Sequence, residues 1–249
     1  MKDDEEKLCA EDQFLFHSGV GLLLFLVKHS HPDLANATRE LSKGMVGTNM
    51  AGLKELYQVI KYVIDTKDLR LKIHPRFKDN NVWTMAVFLD SYWAGDKDTR
   101  RSVTGYIIFL CGVPISWKSK AQSHVTLSSS EAEYVALSES VKELKFVSML
   151  LNSMGIRYSK PITVWVDNLG AIFMSNNPNA SGRTRHMDIK HHFIRDYIDD
   201  LISIKFITTD ANIADIFTKN TSSSTFVKHQ ATMVDNLGSE AFLEKEEGC

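Results

Sequence analysis

Residues 161–172 read PITVWVDNLGAI, and this segment sets the architecture of the chain. Pro161 to Val166 is short and almost entirely apolar, as is typical of a central strand covered on both faces. The strand is predicted to end at Asp167, and a helix is predicted from there to about Asn176. Because a buried strand that leads directly into a helix is part of a crossover connection, the segment predicts an α/β fold.

Strand-like segments also precede this unit. They are rich in β-branched and aromatic residues, and a turn predicted at Gly112 separates two of them. Their predicted ranges are Val82 to Leu89 (ending at Asp90), Thr104 to Leu110, and Val113 to Trp117 together with His124 to Leu127. Strands this close in sequence predict an antiparallel hairpin sheet.

Helices are predicted between and after these strands. Ser128 to Glu131, SSSE, is a capping-box signature that begins a long helix, which runs to about Met154 and stops at Gly155. A helix over about 186–200, a strand over Ile202 to Ile207 and a closing helix over about 211–219 follow the buried strand and its helix. The order predicts a hairpin sheet extended by crossover strands, with helices on its faces.

The flanking regions have different patterns. Residues 13–75 are predicted to be helical, with an apolar segment to Lys28, a short helix that starts at Pro32, and a longer helix capped by Asn49. We therefore expect a small helical segment over 1–78, an α/β domain over 80–219 and a tail over 220–249.

The composition is that of a globular protein without a strongly basic or membrane-spanning character. The 249 residues carry 29 Lys+Arg and 31 Asp+Glu, a formal net charge of −2, so nucleic-acid binding would depend on a local surface. The three cysteines are far apart, which argues against a disulfide framework. The acidic start and the short apolar run Val20 to Val27 predict an intracellular protein, in the cytoplasm or nucleus, that does not act on a membrane.

Four carboxylates stand at positions where an α/β sheet forms sites. Asp90 and Asp167 end strands, Asp215 begins the closing helix, and Glu133 lies in the first turns of the long helix. Glu133 shares a helix face with Ala136 and Leu137, which points it at the sheet, whereas Glu131 suits the cap. Each acid alone also fits a structural role, as a strand-end cap or a favourable charge at a helix N-terminus.

Together, the four carboxylates favour a metal site. Acids that converge without basic partners repel one another unless cations lie between them, and oxygen ligands suit Mg²⁺. Two such ions about 3.5–4 Å apart can activate water and stabilise the leaving oxygen of a phosphodiester.

The four acids and the sequence motifs around them resemble the ribonuclease H region of Ty1/copia-type retrotransposon Pol polyproteins. The helical segments 17–43 and 50–73 resemble the stretch that links the family's reverse transcriptase to its ribonuclease H. The resemblance covers about residues 14 to 219. In the α/β region, the motifs on which the resemblance rests are WAGDKDTRRSVTGY (93–106), PISWKSKAQSHVTLSSSEAEYVALSE (114–139), VDNLGAI (166–172), NNP (176–178), RTRHMDIKHHFIRD (183–196) and IADIFTK (213–219).

The resemblance implies a ribonuclease H-like mixed sheet whose four acids bind two Mg²⁺ ions, with Mn²⁺ as a possible substitute. It implies cleavage of the RNA strand of an RNA–DNA hybrid, with Asp90 and Asp167 central to both ions. Glu133 would serve the ion nearer the leaving group, and Asp215 the ion that carries the attacking water. Tyr92 stands where the family usually has a second acid. The sequence also lacks the Y-x-D-D motif of the family's polymerase.

Contacts to a hybrid are predicted near the acids. A hybrid is recognised by its shape through phosphate and 2′-hydroxyl contacts, which require cations and small polar groups. The candidates, which also fit ordinary solvated loop positions, are Lys118, Lys120, Gln122, Ser129, Ser130, Asn168, Arg183 and Arg185. The predicted partners are the hybrid and other parts of a Pol polyprotein.

Two alternatives remain open from the sequence. One is an inactive retrotransposon remnant that binds nucleic acid or a protein partner. The other is a DNA-strand transferase with a similar fold, against which the helix-borne Glu133 between the two strand-end aspartates argues.

Overall fold

The computed structural model describes residues 8–77, 82–176, 193–198 and 200–236, which divide into two compact units. Described residues up to Lys72 form the first unit together with residues 230–236. Described residues from Ile73 to His229 form the second.

The first unit is built on three α-helices, α1 (Ala10–His29), α2 (Ala35–Ser42) and α3 (Met50–Asp65). The predicted cap is confirmed, because Asn49 accepts a hydrogen bond from the Gly52 amide at 3.2 Å. One face of each helix contributes to a small apolar core. Its buried members are Phe16, Val20, Leu23, Leu34, Leu41, Leu53 and Leu56.

Residues from the end of the chain complete the first unit. Strand β1 (Leu69–Leu71) pairs antiparallel with β7 (Val234–Asn236). Gln230 donates to the buried Asp33 carboxylate at 3.1 Å, and the Tyr62 hydroxyl donates to the same oxygen at 2.6 Å. The region predicted as a tail therefore contains ordered structure, since these long-range bonds satisfy buried polar groups of the helical unit.

Helix α1 is the one helix in the described parts of the chain that is long and apolar enough to cross a membrane, judged by length and composition alone. Phe16, Val20 and Leu23 on its inner face are buried in the core of the unit. Core helices of soluble proteins meet the same criterion, so the observation carries little weight.

The second unit is a five-stranded mixed sheet in the order β4-β3-β2-β5-β6. Its β2–β3 and β3–β4 pairs are antiparallel, whereas β2–β5 and β5–β6 are parallel. This is the predicted hairpin sheet extended by crossover strands. The strands are β2 (Met85–Tyr92), β3 (Val103–Leu110), β4 (Val113–Ala121), β5 (Ile162–Val166) and β6 (Ile202–Phe206).

Helix α4 (Ser129–Ser153) packs on β2 and β3, and α5 (Leu169–Asn176) follows β5. Ser128 caps α4 by accepting from the Glu131 amide at 3.1 Å, and Glu131 accepts from the Leu127 amide at 2.7 Å. The capping residues thus act as predicted. The mixed sheet with flanking helices, preceded by a helical segment, confirms the predicted ribonuclease H-like α/β fold class.

Several element boundaries differ from the predicted ones. Strand β2 continues past Asp90 to Tyr92, because β3 remains paired with it through Tyr92 and Val103. Strand β4 is one strand that ends at Ala121, so the strand predicted over residues 124–127 is wrong. Most of the helix predicted over 186–200 lies outside the described residues.

The predicted closing α-helix is also wrong. In its place are two short 3₁₀ helices, Thr209–Ala211 and Ile213–Phe217, followed by a helix that we call α6 (Ser223–Gln230). Asn212 separates the 3₁₀ helices: its side chain accepts from the Ala214 amide at 3.2 Å and donates to the Leu89 carbonyl at 2.8 Å. The local bond to Ala214 and the long-range bond to Leu89 hold the segment in tight turns against β2.

Candidate metal centre

The parallel pairing of β2 and β5 brings the first two predicted acids together. Phe88 pairs with Trp165, which is the last pair between these strands, and Asp90 and Asp167 each lie two residues further on. The strands separate there, so both carboxylates stand where the parallel ladder ends. This is the position at which open α/β sheets form sites.

Glu133 reaches the same place from α4. Its side chain is only 2% exposed, and one oxygen each from Asp90, Glu133 and Asp167 lie within 4.8 Å of one another. Glu133 Oε1 is buried and has no hydrogen-bond partner. A buried carboxylate oxygen without a partner is costly, and a cation bound between the three acids would satisfy it.

Asp215 joins the cluster on the second 3₁₀ helix. The close approach of this helix to β3 requires a glycine, because a Cβ at Gly105 would lie 2.6 Å from Thr218 Cγ2 and 2.8 Å from Phe217 Cβ. Ser119 on β4 fixes the same helix by donating to the Phe217 carbonyl at 2.5 Å. Thr218 in turn donates a short hydrogen bond to Asp90.

Lys219 supplies positive charge at this side of the cluster. Its Nζ lies 3.0 Å from Asp215 Oδ1 and 3.8 Å from Asp90 Oδ2. The ammonium therefore bridges Asp90 and Asp215. Asp90 also belongs to the group of three that it forms with Glu133 and Asp167.

Burial and mutual repulsion make Asp90, Glu133 and Asp215 hold protons more tightly than usual. Burial, then the charges of Asp90 and Asp167, raise the pKa of Glu133 well above its ordinary value. Burial raises the pKa of Asp215 to about 7, helped by Asp90 and opposed by Lys219. Burial also raises the pKa of Asp90, against the effects of Lys219 and Thr218.

This donor set fits hard divalent cations. Within the described residues it consists of carboxylate oxygens, which Mg²⁺ and Mn²⁺ prefer, without the sulfur or imidazole ligands favoured by softer metals. Asp90, Glu133 and Asp167 could hold a metal ion. Thr209 orients the third of these, because its hydroxyl donates to Asp167 Oδ2 at 3.2 Å.

The predicted nucleic-acid contacts fall into two groups. Lys118, Lys120 and Gln122 line one side of a cavity of about 70 Å³ between β4 and α4, with Glu139 opposite. Gln122 is buried, and its amide donates to Thr104 Oγ1 at 3.0 Å and to the Ala132 carbonyl at 2.9 Å. Lys120 is exposed and Lys118 is half-buried.

The second group joins the starts of α4 and α5. Ser130 Oγ donates to Asn168 Oδ1 at 3.2 Å, and the same oxygen accepts from the Ala171 amide at 3.0 Å, which caps α5. Ser129 is exposed beside them. Arg183 and Arg185 lie outside the described residues.

Sequence reasoning missed the residues that support the acids. Gly105, Asn212, Thr218 and Lys219 had no assigned role, although three of them lie in or next to the word IADIFTK and Gly105 lies in VTGY. The acids themselves offer a partial signal, since a group of carboxylates needs neighbours that fix and balance it. Tyr92 lies two residues beyond Asp90, and the acid that joins Glu133 and Asp167 is Asp90.

Comparison with known proteins gives the family. No protein-family model matches the chain. The Pol polyprotein from transposon RE1 of Arabidopsis thaliana is 33% identical over 208 residues, 83% of this chain and 14% of its own length. The Pol polyprotein from transposon TNT 1-94 of Nicotiana tabacum is 32% identical over 82% of this chain and 15% of its own length.

A yeast relative extends the match. The Ty1-DR5 Gag-Pol polyprotein of Saccharomyces cerevisiae is 30% identical over 215 residues, 83% of this chain and 12% of its own length. The chain therefore spans well under a fifth of the length of these curated relatives. Since the three matches each cover about four fifths of it, the chain belongs to the Pol polyproteins of Ty1/copia-type retrotransposons.

Proposed function

We propose that the chain is a ribonuclease H that cleaves the RNA strand of RNA–DNA hybrids with two Mg²⁺ ions. The observation that carries the proposal is the group formed by Asp90, Glu133 and Asp167, in which a fully buried Glu133 oxygen lacks a partner. Asp215 stands beside this group. Four acids on these elements match the site that the family resemblance implies.

Bound Mg²⁺ would supply Lewis-acid stabilisation of the phosphodiester and a water of lowered pKa. Both ions would be held by Asp90 and Asp167. Asp90 belongs to the group of three acids and also contacts Lys219. Glu133 would serve the ion on the side of the leaving oxygen, and Asp215 the ion on the side of the attacking water. Thr218 and Thr209 would keep Asp90 and Asp167 oriented through the contacts given above.

The hybrid would lie along the surface that carries Lys118 and Lys120. An exposed and a half-buried lysine two residues apart on one edge strand suit a phosphate backbone. Ser129, Ser130 and Asn168 are placed near the acids, where small hydroxyl and amide groups can contact a ribose 2′-hydroxyl. Gln122 would act through the cavity wall, since both of its amide hydrogen bonds are made within the protein.

The remaining polyprotein supplies the natural context. Because relatives carry this region within a much longer chain, we infer that other parts of a Pol polyprotein are its partners. A reverse transcriptase would make the hybrid, and this sequence lacks the paired-aspartate motif of that enzyme.

The test is cleavage of a labelled duplex by the purified chain, in Mg²⁺ or in EDTA. We expect the RNA strand of an RNA–DNA hybrid to be cut in Mg²⁺ alone, and the DNA strand, single-stranded RNA and duplex DNA to survive. Binding of the hybrid without cleavage would identify an inactive remnant. Cleavage or joining of duplex DNA would instead favour a strand transferase.

A further inference from the structure

The four acids are not balanced evenly. Asp90, Glu133 and Asp167 approach within 4.8 Å of one another, and Asp90 and Asp215 share the ammonium of Lys219. Asp90 therefore belongs to two halves of the cluster, one formed with Glu133 and Asp167 and one formed with Asp215. Among the described residues, Lys219 pairs with both acids of the second half, whereas in the first half it pairs with Asp90 alone.

The local backbone fixes the position of Lys219. It follows Asp215 by four residues, and its backbone amide donates to the Asp215 carbonyl at 3.2 Å. Its side chain is 31% exposed, while the carboxylates it contacts are 4% and 5% exposed. An ion pair whose acids are buried is screened less by salt than a pair on the surface.

We propose that Lys219 is a positioning residue that occupies the half of the cluster between Asp90 and Asp215, so that a divalent cation enters this half only by displacing the ammonium. This role rests on the proposed function of the acids as metal ligands. An ion held chiefly by Glu133 and Asp167, with which Lys219 forms no ion pair, needs no such displacement. The two halves therefore fill in order, with the half of Glu133 and Asp167 filled first.

The charge of Lys219 should control the affinity of the cluster for a cation. A unit charge a few ångströms from a cation site near a protein surface changes binding strongly. Removing the ammonium should tighten the weaker of two metal-binding steps by about tenfold and alter the tighter step less. In the absence of metal, the same change leaves Asp90 and Asp215 without a counter-charge, so the melting temperature should fall.

The experiment is a calorimetric titration of the full chain with MnCl₂, with no nucleic acid present. The variants are Lys219→Met, which keeps the length of the side chain, and Lys219→Arg, which keeps its charge. The control is Lys142→Met, which removes a half-exposed lysine paired with Glu139 on the outside of α4. Melting temperatures in EDTA are measured in parallel.

We expect two binding steps in the wild type, with the weaker step tightened in Lys219→Met and nearly unchanged in Lys219→Arg and Lys142→Met. An unchanged or weakened second step in Lys219→Met would overturn the inference and leave the proposed function standing. A wild-type chain that binds no Mn²⁺ would overturn both. If Lys219→Met does not fold, a weaker second step in Lys219→Arg than in the control would contradict the inference, because the charge is retained.

Discussion

Glu133 shows most clearly how single residues carry the site. A fully buried carboxylate among other acids is unfavourable for folding unless something compensates it, and within the described residues its Oε1 has no hydrogen-bond donor. The same energetic cost would favour the binding of a cation among these acids, as the proposed function requires. Stability and metal binding are therefore linked through the protonation of these residues.

Asp215 gives this linkage a definite pH range. Its pKa is raised from an ordinary value of 3.8 to about 7, so between these values the folded chain binds more protons than the unfolded chain. Without metal, stability contributed by this group is greatest below about pH 4 and is lost as the pH rises towards 7. Metal binding needs the deprotonated form, so we expect Mg²⁺ to raise the melting temperature more at pH 8 than at pH 5.

Thermal unfolding at pH 5, 6, 7 and 8, in EDTA and in Mg²⁺, measures this effect. Asp215→Asn is the matched variant, and its metal-free stability should depend less on pH between 4 and 7. An equal gain from Mg²⁺ at pH 5 and pH 8 would contradict the linkage.

At the scale of elements, the sequence pattern predicted the strand that ends before Asp167 and the helix that carries Glu133. Asp167 follows an apolar strand and Glu133 lies on the inner face of a capped helix, and both signals are contained within a few neighbouring residues. The 3₁₀ helix of Asp215 could not be predicted in this way. It is shaped by the bond from Asn212 to the Leu89 carbonyl, 123 residues away in sequence, and by the absence of a side chain at Gly105.

Gly105→Ala tests how closely that 3₁₀ helix must pack. The new Cβ would meet Thr218, Phe217 and the Ala214 carbonyl, at 2.6, 2.8 and 3.2 Å, so the helix must shift away from β3. We expect a loss of about 1–3 kcal/mol in the free energy of unfolding. Binding of Mn²⁺ should also weaken, because Asp215 moves with the helix.

Gly21→Ala is the control for this substitution. A Cβ at Gly21 meets nothing within 4 Å, and alanine in a helix interior is favoured over glycine by about 1 kcal/mol. The control should therefore be neutral or stabilising, measured by denaturant unfolding. Full metal binding in Gly105→Ala would show that the approach of the 3₁₀ helix is not needed.

At the scale of the whole molecule, the chain leaves its first unit, forms the α/β unit and then returns to the first unit. The pairing of β7 with β1 and the bonds from Gln230 to Asp33 and Tyr62 belong to the first unit. Sequence pattern gave little sign of this return, because a three-residue strand and a single glutamine have no periodicity. Only the partners, far away in sequence, give them a role.

A chain that ends at His229 should therefore unfold its helical unit at a lower temperature than a chain that ends at Asn236. All four tryptophans, Trp83, Trp93, Trp117 and Trp165, lie in the second unit, so their emission reports on that unit alone. We expect far-ultraviolet circular dichroism to show early loss of helix in the shorter chain, while tryptophan emission changes little. Identical melting of the two chains by circular dichroism would show that the return adds no stability.

The most direct test of the proposed catalytic site is the rate at which matched aspartate variants cleave a labelled RNA–DNA hybrid in Mg²⁺. Asp167→Asn removes a charge from the cluster, and Asp98→Asn removes one from an exposed loop position. We expect Asp167→Asn to lose about a thousandfold or more in rate, with its fold retained, because metal-ion catalysis contributes several kcal/mol to the barrier. Asp98→Asn should cleave like the wild type, whereas cleavage by Asp167→Asn at the wild-type rate would contradict the assignment of the site.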